Sequence, residues 1–239
     1  MIVHSIKVHR TNSSCRDTLA RKPGKYILSY ATIDNLDLWR KHMIVYHYSQ
    51  TLKEGDHLEP GHLDFMDLCE PFMQALSHGR DCFFSMLLNG KYMFAVLNRS
   101  ILRYWADYAK WATEALFEYI RRNEYPQCVS RLHCNYFCTD LNDCKRMYTE
   151  DWGEEDKEEK EKVHLFEVEV PGDSLEMRDI SIYDAAYDVI HDTQDVDAAL
   201  EYARRYFAGE HGDEPNWEYL SAGDATAVSD ISHFLPERE

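Results

Sequence analysis

The 239 residues suit one large domain or two small ones, and 44% hydrophobic with 13% aromatic content belongs to a chain that folds around a core rather than a disordered one. Against 26 basic residues stand 43 acidic ones, a formal net charge of −17. Such a field repels phosphate backbones and anionic lipid, which disfavours non-specific nucleic-acid or membrane binding but leaves room for a local basic groove.

In chain order, "MIVHSIKVHR" alternates apolar and polar residues and predicts a strand. "RKPGKYILSYA" reads as a turn and a second short strand, and "DLWRKHMIVYHYS" leads into a strand that holds His47. From about Leu63 to Asn123 the pattern turns helical. Ile101, Tyr104, Trp105, Tyr108, Trp111, Ala112, Ala115, Leu116, Tyr119 and Ile120 keep the three-four spacing of one buried face. Glu118 stands four before Arg122, a modest surface pair. "VSRLHCNYFCTD" is strand-like, with Leu132, Cys134, Tyr136 and Cys138 on one face and Arg131, His133, Asn135 and Phe137 on the other. "LNDCKRMY" predicts a short helix, the acidic run at 150–161 a solvated loop or frayed helix, and "VHLFEVEV" a strand. "DVDAALEYARRYFAG" predicts a helix capped by Asp195 and Gly209, and "NWEYLSAGDATAVSDI" one or two closing strands. Strands at both ends with helices between them give an α+β class.

Seven scattered cysteines without a Cys-x-x-Cys pair point to a reduced, cytoplasmic chain. No apolar run approaches the roughly 20 residues of a membrane span, and the N-terminus lacks a signal-peptide pattern. Export as an effector by a dedicated secretion machine needs neither and stays open. His133, Cys134, Cys138 and Cys144 fit no zinc-ligand spacing, so no metal is expected. A Gly-rich dinucleotide fingerprint, a phosphate loop and a Gly-x-Ser-x-Gly elbow are all missing.

Three short stretches carry a family likeness. "VYHYSQTLKEGDHLEPG", "CNYFCTDLNDCKRMY" and "NWEYLSAGDATAVSDI", in that order, resemble the three motifs of the NAD-dependent ADP-ribosyltransferases. The likeness is to the rifampicin-modifying and toxin-like bacterial branches of the His-Tyr-Glu type. The resemblance implies a single domain over residues 1–239, with split antiparallel sheets and a helical insertion at about 63–123. It implies NAD as a substrate rather than a resident cofactor. Glu218 becomes the catalytic carboxylate, His47 a ribose anchor and Tyr136 a platform for the nicotinamide ring. Tyr148 joins that platform, while Tyr48 through its backbone, Ser49, and Arg131 as a phosphate contact complete the NAD site. Tyr48 stands where the rifampicin-modifying enzymes usually have glycine.

The chemistry explains the residue types. Breaking the nicotinamide–ribose bond develops oxocarbenium character, which a carboxylate beneath the sugar stabilises. The acceptor is open among a protein side chain, a small molecule and a nucleic-acid base, and the net charge leans away from the last. Water as acceptor makes the protein an NAD glycohydrolase. A catalytically dead binding module is the rival from another class. By analogy, the bacterial branches imply a toxin or effector role with an antitoxin or chaperone partner.

Overall fold

The continuous run Met43–Tyr48, buried on both faces from Val45 to Tyr48, makes the central strand of a sheet, and every other strand is arranged around it. The computed structural model describes residues 6–9, 42–61, 65–97, 108–138, 140–153 and 155–236. The strands are β1 (Ile6–His9), β2 (His42–Ser49), β3 (His57–Leu58), β4 (Asn135–Cys138), β5 (His164–Pro171), β6 (Leu175–Asp179), β7 (Trp217–Ser221) and β8 (Ala225–Asp230). They run β3-β8-β5-β2-β1-β4-β7-β6 across one sheet. The pairings are antiparallel except between β1 and β4, which meet in parallel at Lys7 and Cys138. Strand β4 also touches β2, at Cys138 opposite Tyr46. The sheet therefore narrows at Cys138, with β3, β8, β5, β2 and β1 on one side and β4, β7 and β6 on the other.

The helices are α1 (Phe65–Ser77), α2 (Arg80–Leu97), α3 (Tyr108–Glu124), α4 (Leu141–Trp152), α5 (Lys157–Lys162), α6 (Ile180–Asp192) and α7 (Val196–Ala208). Strands and helices together make the fold α+β, as the sequence pattern predicts. No helix of the described residues is long and apolar enough to cross a membrane.

Two cores lie on this frame. In the first, α1, α2, α3, α6 and α7 pack together over Leu220 of β7, with Phe72, Trp111, Phe117 and Tyr206 fully enclosed. The second joins β2, β5 and β8 to α4 through Val45, Val168, Ala227, Tyr148 and Trp152. Each large apolar side chain so buried contributes about 2–3 kcal/mol before conformational entropy is counted.

Local signals account for several helix ends. Asp195 accepts a hydrogen bond from the Ala198 N–H, and Gly209 closes α7 at φ 78°, a left-handed conformation glycine adopts without strain. Asp156 caps α5, whose side chains all remain in contact with solvent, as the charge run suggests.

Tertiary packing overrides the pattern elsewhere. Arg131–His133 form a 3-10 turn and the strand begins only at Asn135, so the alternation expected from Arg131 onward fails: Arg131 and Leu132 are both buried. Helix α3 is enclosed almost all round, burying Glu114 and Glu118 as well as its apolar stripe, while Tyr119 is exposed. Ile101, Tyr104 and Trp105, and the strand expected at 21–31, lie outside the described residues.

Candidate functional site

The three motif segments are far apart in sequence and meet pairwise in space. From the first, the Gly55 N–H donates to the Ala227 carbonyl and the Ala227 N–H to the Asp56 carbonyl, which pins that turn to β8. Gly61 packs on His133, the residue just before the second segment. Its φ is +102°, and a Cβ there would run into the His133 ring, so only glycine fits. The Asn135 amide donates to the Leu58 carbonyl at 3.3 Å. Strand β4 of the second segment pairs with β7 of the third, with Cys138 opposite Glu218.

Glu218 is 6% exposed and belongs to a buried ionic group. Arg131, 4% exposed, donates through Nη1 to Glu218 Oε1 at 2.5 Å and to the Tyr206 hydroxyl at 2.8 Å. Tyr206 donates in turn to the same Glu218 oxygen at 2.8 Å. The other side of the guanidinium faces Glu114, with Nε 3.2 Å from Oε2 and Nη2 3.3 Å from Oε1. Aromatic rings enclose it: the centroids of Tyr183, Tyr136 and Tyr206 lie 4.1, 5.2 and 5.3 Å from its central carbon. The Tyr136 hydroxyl donates to the Arg131 carbonyl, tying the 3-10 turn to β4.

Burial lowers the proton affinity of Arg131, but Glu114 and Glu218 reverse this and hold it far above its ordinary range. For Glu218 the balance goes the other way: burial raises it, Arg131 and Tyr206 pull it down, and it stays above the usual carboxylate value. Taken singly the two partners disagree, one favouring the charged pair and the other opposing it. One guanidinium between two buried carboxylates reconciles them, since it stays charged but cannot fully compensate both. Burial likewise pushes the Tyr136, Tyr183 and Tyr206 hydroxyls well up. Asp184 on α6 is raised to about 6 by desolvation and by the Glu218 charge, though its solvent-exposed side chain lets water screen part of that rise.

Of the residues singled out in the sequence, Arg131, Tyr136 and Glu218 thus stand in one group. His47 lies on β2, 8% exposed, its ring tilted against Phe137 of β4 at 6.4 Å between centroids. Tyr48 and Tyr148 are in the second core instead. Their rings stack at 6.4 Å, Trp152 lies 5.3 Å from Tyr48, and the Tyr48 hydroxyl donates to the Cys144 carbonyl. Ser49 accepts from the Thr51 and Leu52 N–H groups at 3.1 and 3.0 Å, closing the turn after β2.

Sequence reasoning missed Glu114, Tyr183 and Tyr206, which complete the ionic group, and misread Glu118. Glu118 is 3% exposed and binds Arg121 at 2.8 Å, Arg122 at 2.7 Å and Ser130 at 2.9 Å. Burial raises its proton affinity, and these three partners more than offset that, leaving it below the ordinary range. The available signal was two acids four apart inside a helix otherwise rich in apolar residues. Asp179 was missed too. Fully enclosed, it caps α6 through the Ser181 N–H and accepts from the Gly212 and Asn216 N–H groups, fixing the entry to β7 just before Glu218.

Among the described residues, no group of three or more His, Cys, Asp or Glu side chains is arranged to hold a metal ion. A family model described as "Protein of unknown function (DUF2441)" matches residues 69–233, well over half of the chain, and the chain belongs to that family. The matched span runs from α1 through β8, taking in Tyr136 and Glu218 but not His47. No curated protein matches the sequence.

Proposed function

We propose that this protein is an NAD-dependent ADP-ribosyltransferase that releases nicotinamide and passes ADP-ribose to an acceptor. One observation carries the reading: the three motif segments resembling that family, separated by long stretches of chain, contact one another through β8, β4 and β7. His47, Tyr136 and Glu218 stand on β2, β4 and β7, strands joined around Cys138, and the narrowing there supports a split-sheet cleft of ADP-ribosyltransferase type.

In this reading Glu218 stabilises the oxocarbenium, His47 orients a ribose hydroxyl and Tyr136 provides the ring platform. Tyr48, Ser49 and Tyr148 shape the β2 side of the NAD site. Contact of Arg131 with phosphate requires it to leave Glu114 and Glu218. The acceptor is a protein or a small molecule. The overall charge of −17 favours that choice, and so do Arg121, Arg122 and Arg131, whose charges are taken up by internal carboxylates. The role is that of a toxin or effector, with an antitoxin or chaperone as its partner and the cytoplasm as its site of action.

A second reading draws on the burial of Glu218 and its engagement by Arg131 and Tyr206. A carboxylate held this way suits a binding module without turnover. Nicotinamide release from NAD by the purified chain separates the two. Glu218→Gln keeps the shape and loses the charge, so we expect release to fall by about 100-fold or more with the melting temperature nearly unchanged. A near-wild-type rate in the variant removes Glu218 from catalysis. Absence of release by the wild type favours the binding module.

A further inference from the structure

We infer that Arg131, Glu114 and Tyr206 form a positioning unit that sets the orientation and ionisation of Glu218, so that helices α3 and α7 control the candidate reactive carboxylate from inside the core. The inference rests on the transferase reading for its catalytic meaning, while the geometry belongs to the chain itself.

A guanidinium has a planar fork of donors. Here the fork is divided, with Nε and Nη2 given to Glu114 and Nη1 to Glu218 and Tyr206. Its plane is fixed by three tyrosine rings, and Glu218 Oε1 receives two donors at once. The carboxylate can turn only if this set gives way. Titratable and charged groups face Glu218 from each element packed on it: Glu114 of α3, Arg131, Cys134 and Tyr136 around β4, Asp184 of α6 and Tyr206 of α7, while Cys138 of β4 and Arg178 of β6 stand directly across from it in the sheet. Arg131 and the Tyr206 hydroxyl favour ionised Glu218, whereas the Glu114 charge opposes it.

Two near-isosteric substitutions therefore act in opposite directions. Tyr206→Phe removes a donor to Glu218 Oε1, which makes the carboxylate harder to ionise and moves its titration to higher pH. Glu114→Gln removes a neighbouring negative charge and moves it to lower pH. A side chain that merely filled the core would produce neither shift.

The test is a carboxyl-carbon NMR titration of the full chain labelled at glutamate, with the Glu218 signal assigned by its loss in Glu218→Gln. Shifts of opposite sign in the two variants, both folded, support the positioning unit. Unchanged titration, or shifts of the same sign, overturns it. Nicotinamide release followed over the same pH range gives the second readout, and its acid limb is expected to move up in Tyr206→Phe and down in Glu114→Gln. Opposite NMR shifts in the two variants, with a wild type that releases no nicotinamide, support the unit and overturn the transferase reading instead, so the two failures are distinct.

Discussion

The two cores handle charge in opposite ways. The helical core over β7 takes Glu114, Glu118, Arg131 and Glu218 inside, each under a tenth exposed. The core on β2, β5 and β8 packs aromatic and aliphatic side chains, and the ion pairs of neighbouring α5, such as Lys162 with Glu159 at 2.6 Å, stay in solvent. Water screens exposed pairs of that kind, so they add little to stability. Burying ions costs several kcal/mol each, and apolar residues of similar size often do as well or better for stability. An ionic group retained inside a core that could have been apolar is thus the better place to look for chemistry. The contrast directs attention to Glu218 rather than to the Tyr48–Tyr148–Trp152 stack.

Breaking the buried group should give the largest effect. Arg131→Met leaves Glu114 and Glu218 facing each other without a cation, at a cost of about 3–5 kcal/mol at neutral pH, measured by urea unfolding. Glu218, already raised by burial, loses the cation that pulls it down and then ionises still less readily folded than unfolded. A group with a raised folded value contributes stability below its unfolded value and loses it as pH rises, so the deficit of this variant should shrink toward acid. Truncating the aromatic core sharpens the contrast. Trp152→Ala should cost about 3 kcal/mol through lost burial and a cavity, nearly independent of pH, and should leave the Glu218 titration where it was.

Asp179 supplies the smallest effect. Burial raises its proton affinity, and hydrogen bonds from Gly212, Ser181 and Asn216 outweigh that, setting it below its ordinary 3.8. The stability it contributes is therefore present above about pH 4 and disappears as pH falls through the depressed value. Asp179→Asn should cost about 1–2 kcal/mol at pH 7 and little in acid, read as melting temperature against pH.

Period and punctuation in the chain determined β2, β5, β7, β8, α4 and α7 and the caps at Asp195 and Gly209, because these depend on contacts a few residues apart. Motif order made Tyr136 and Glu218 stand out for the same reason: the residue types and their neighbours are local. Helix α6 carries a local cap at Asp179 and Ser181 and helical spacing of its apolar residues, but nothing local shows that Asp179 also holds Gly212 and Asn216, more than thirty residues on. Only tertiary structure decided that Arg131 turns inward, that Glu114 and Tyr206 share it with Glu218, and that Glu118 is a buried anchor rather than a surface partner. A carboxylate four residues from an arginine reads the same in sequence whether water or a packed helix covers it. Burial is a property of the whole assembled core, and with it come the desolvation and the unequal sharing of charge that set Glu218 apart.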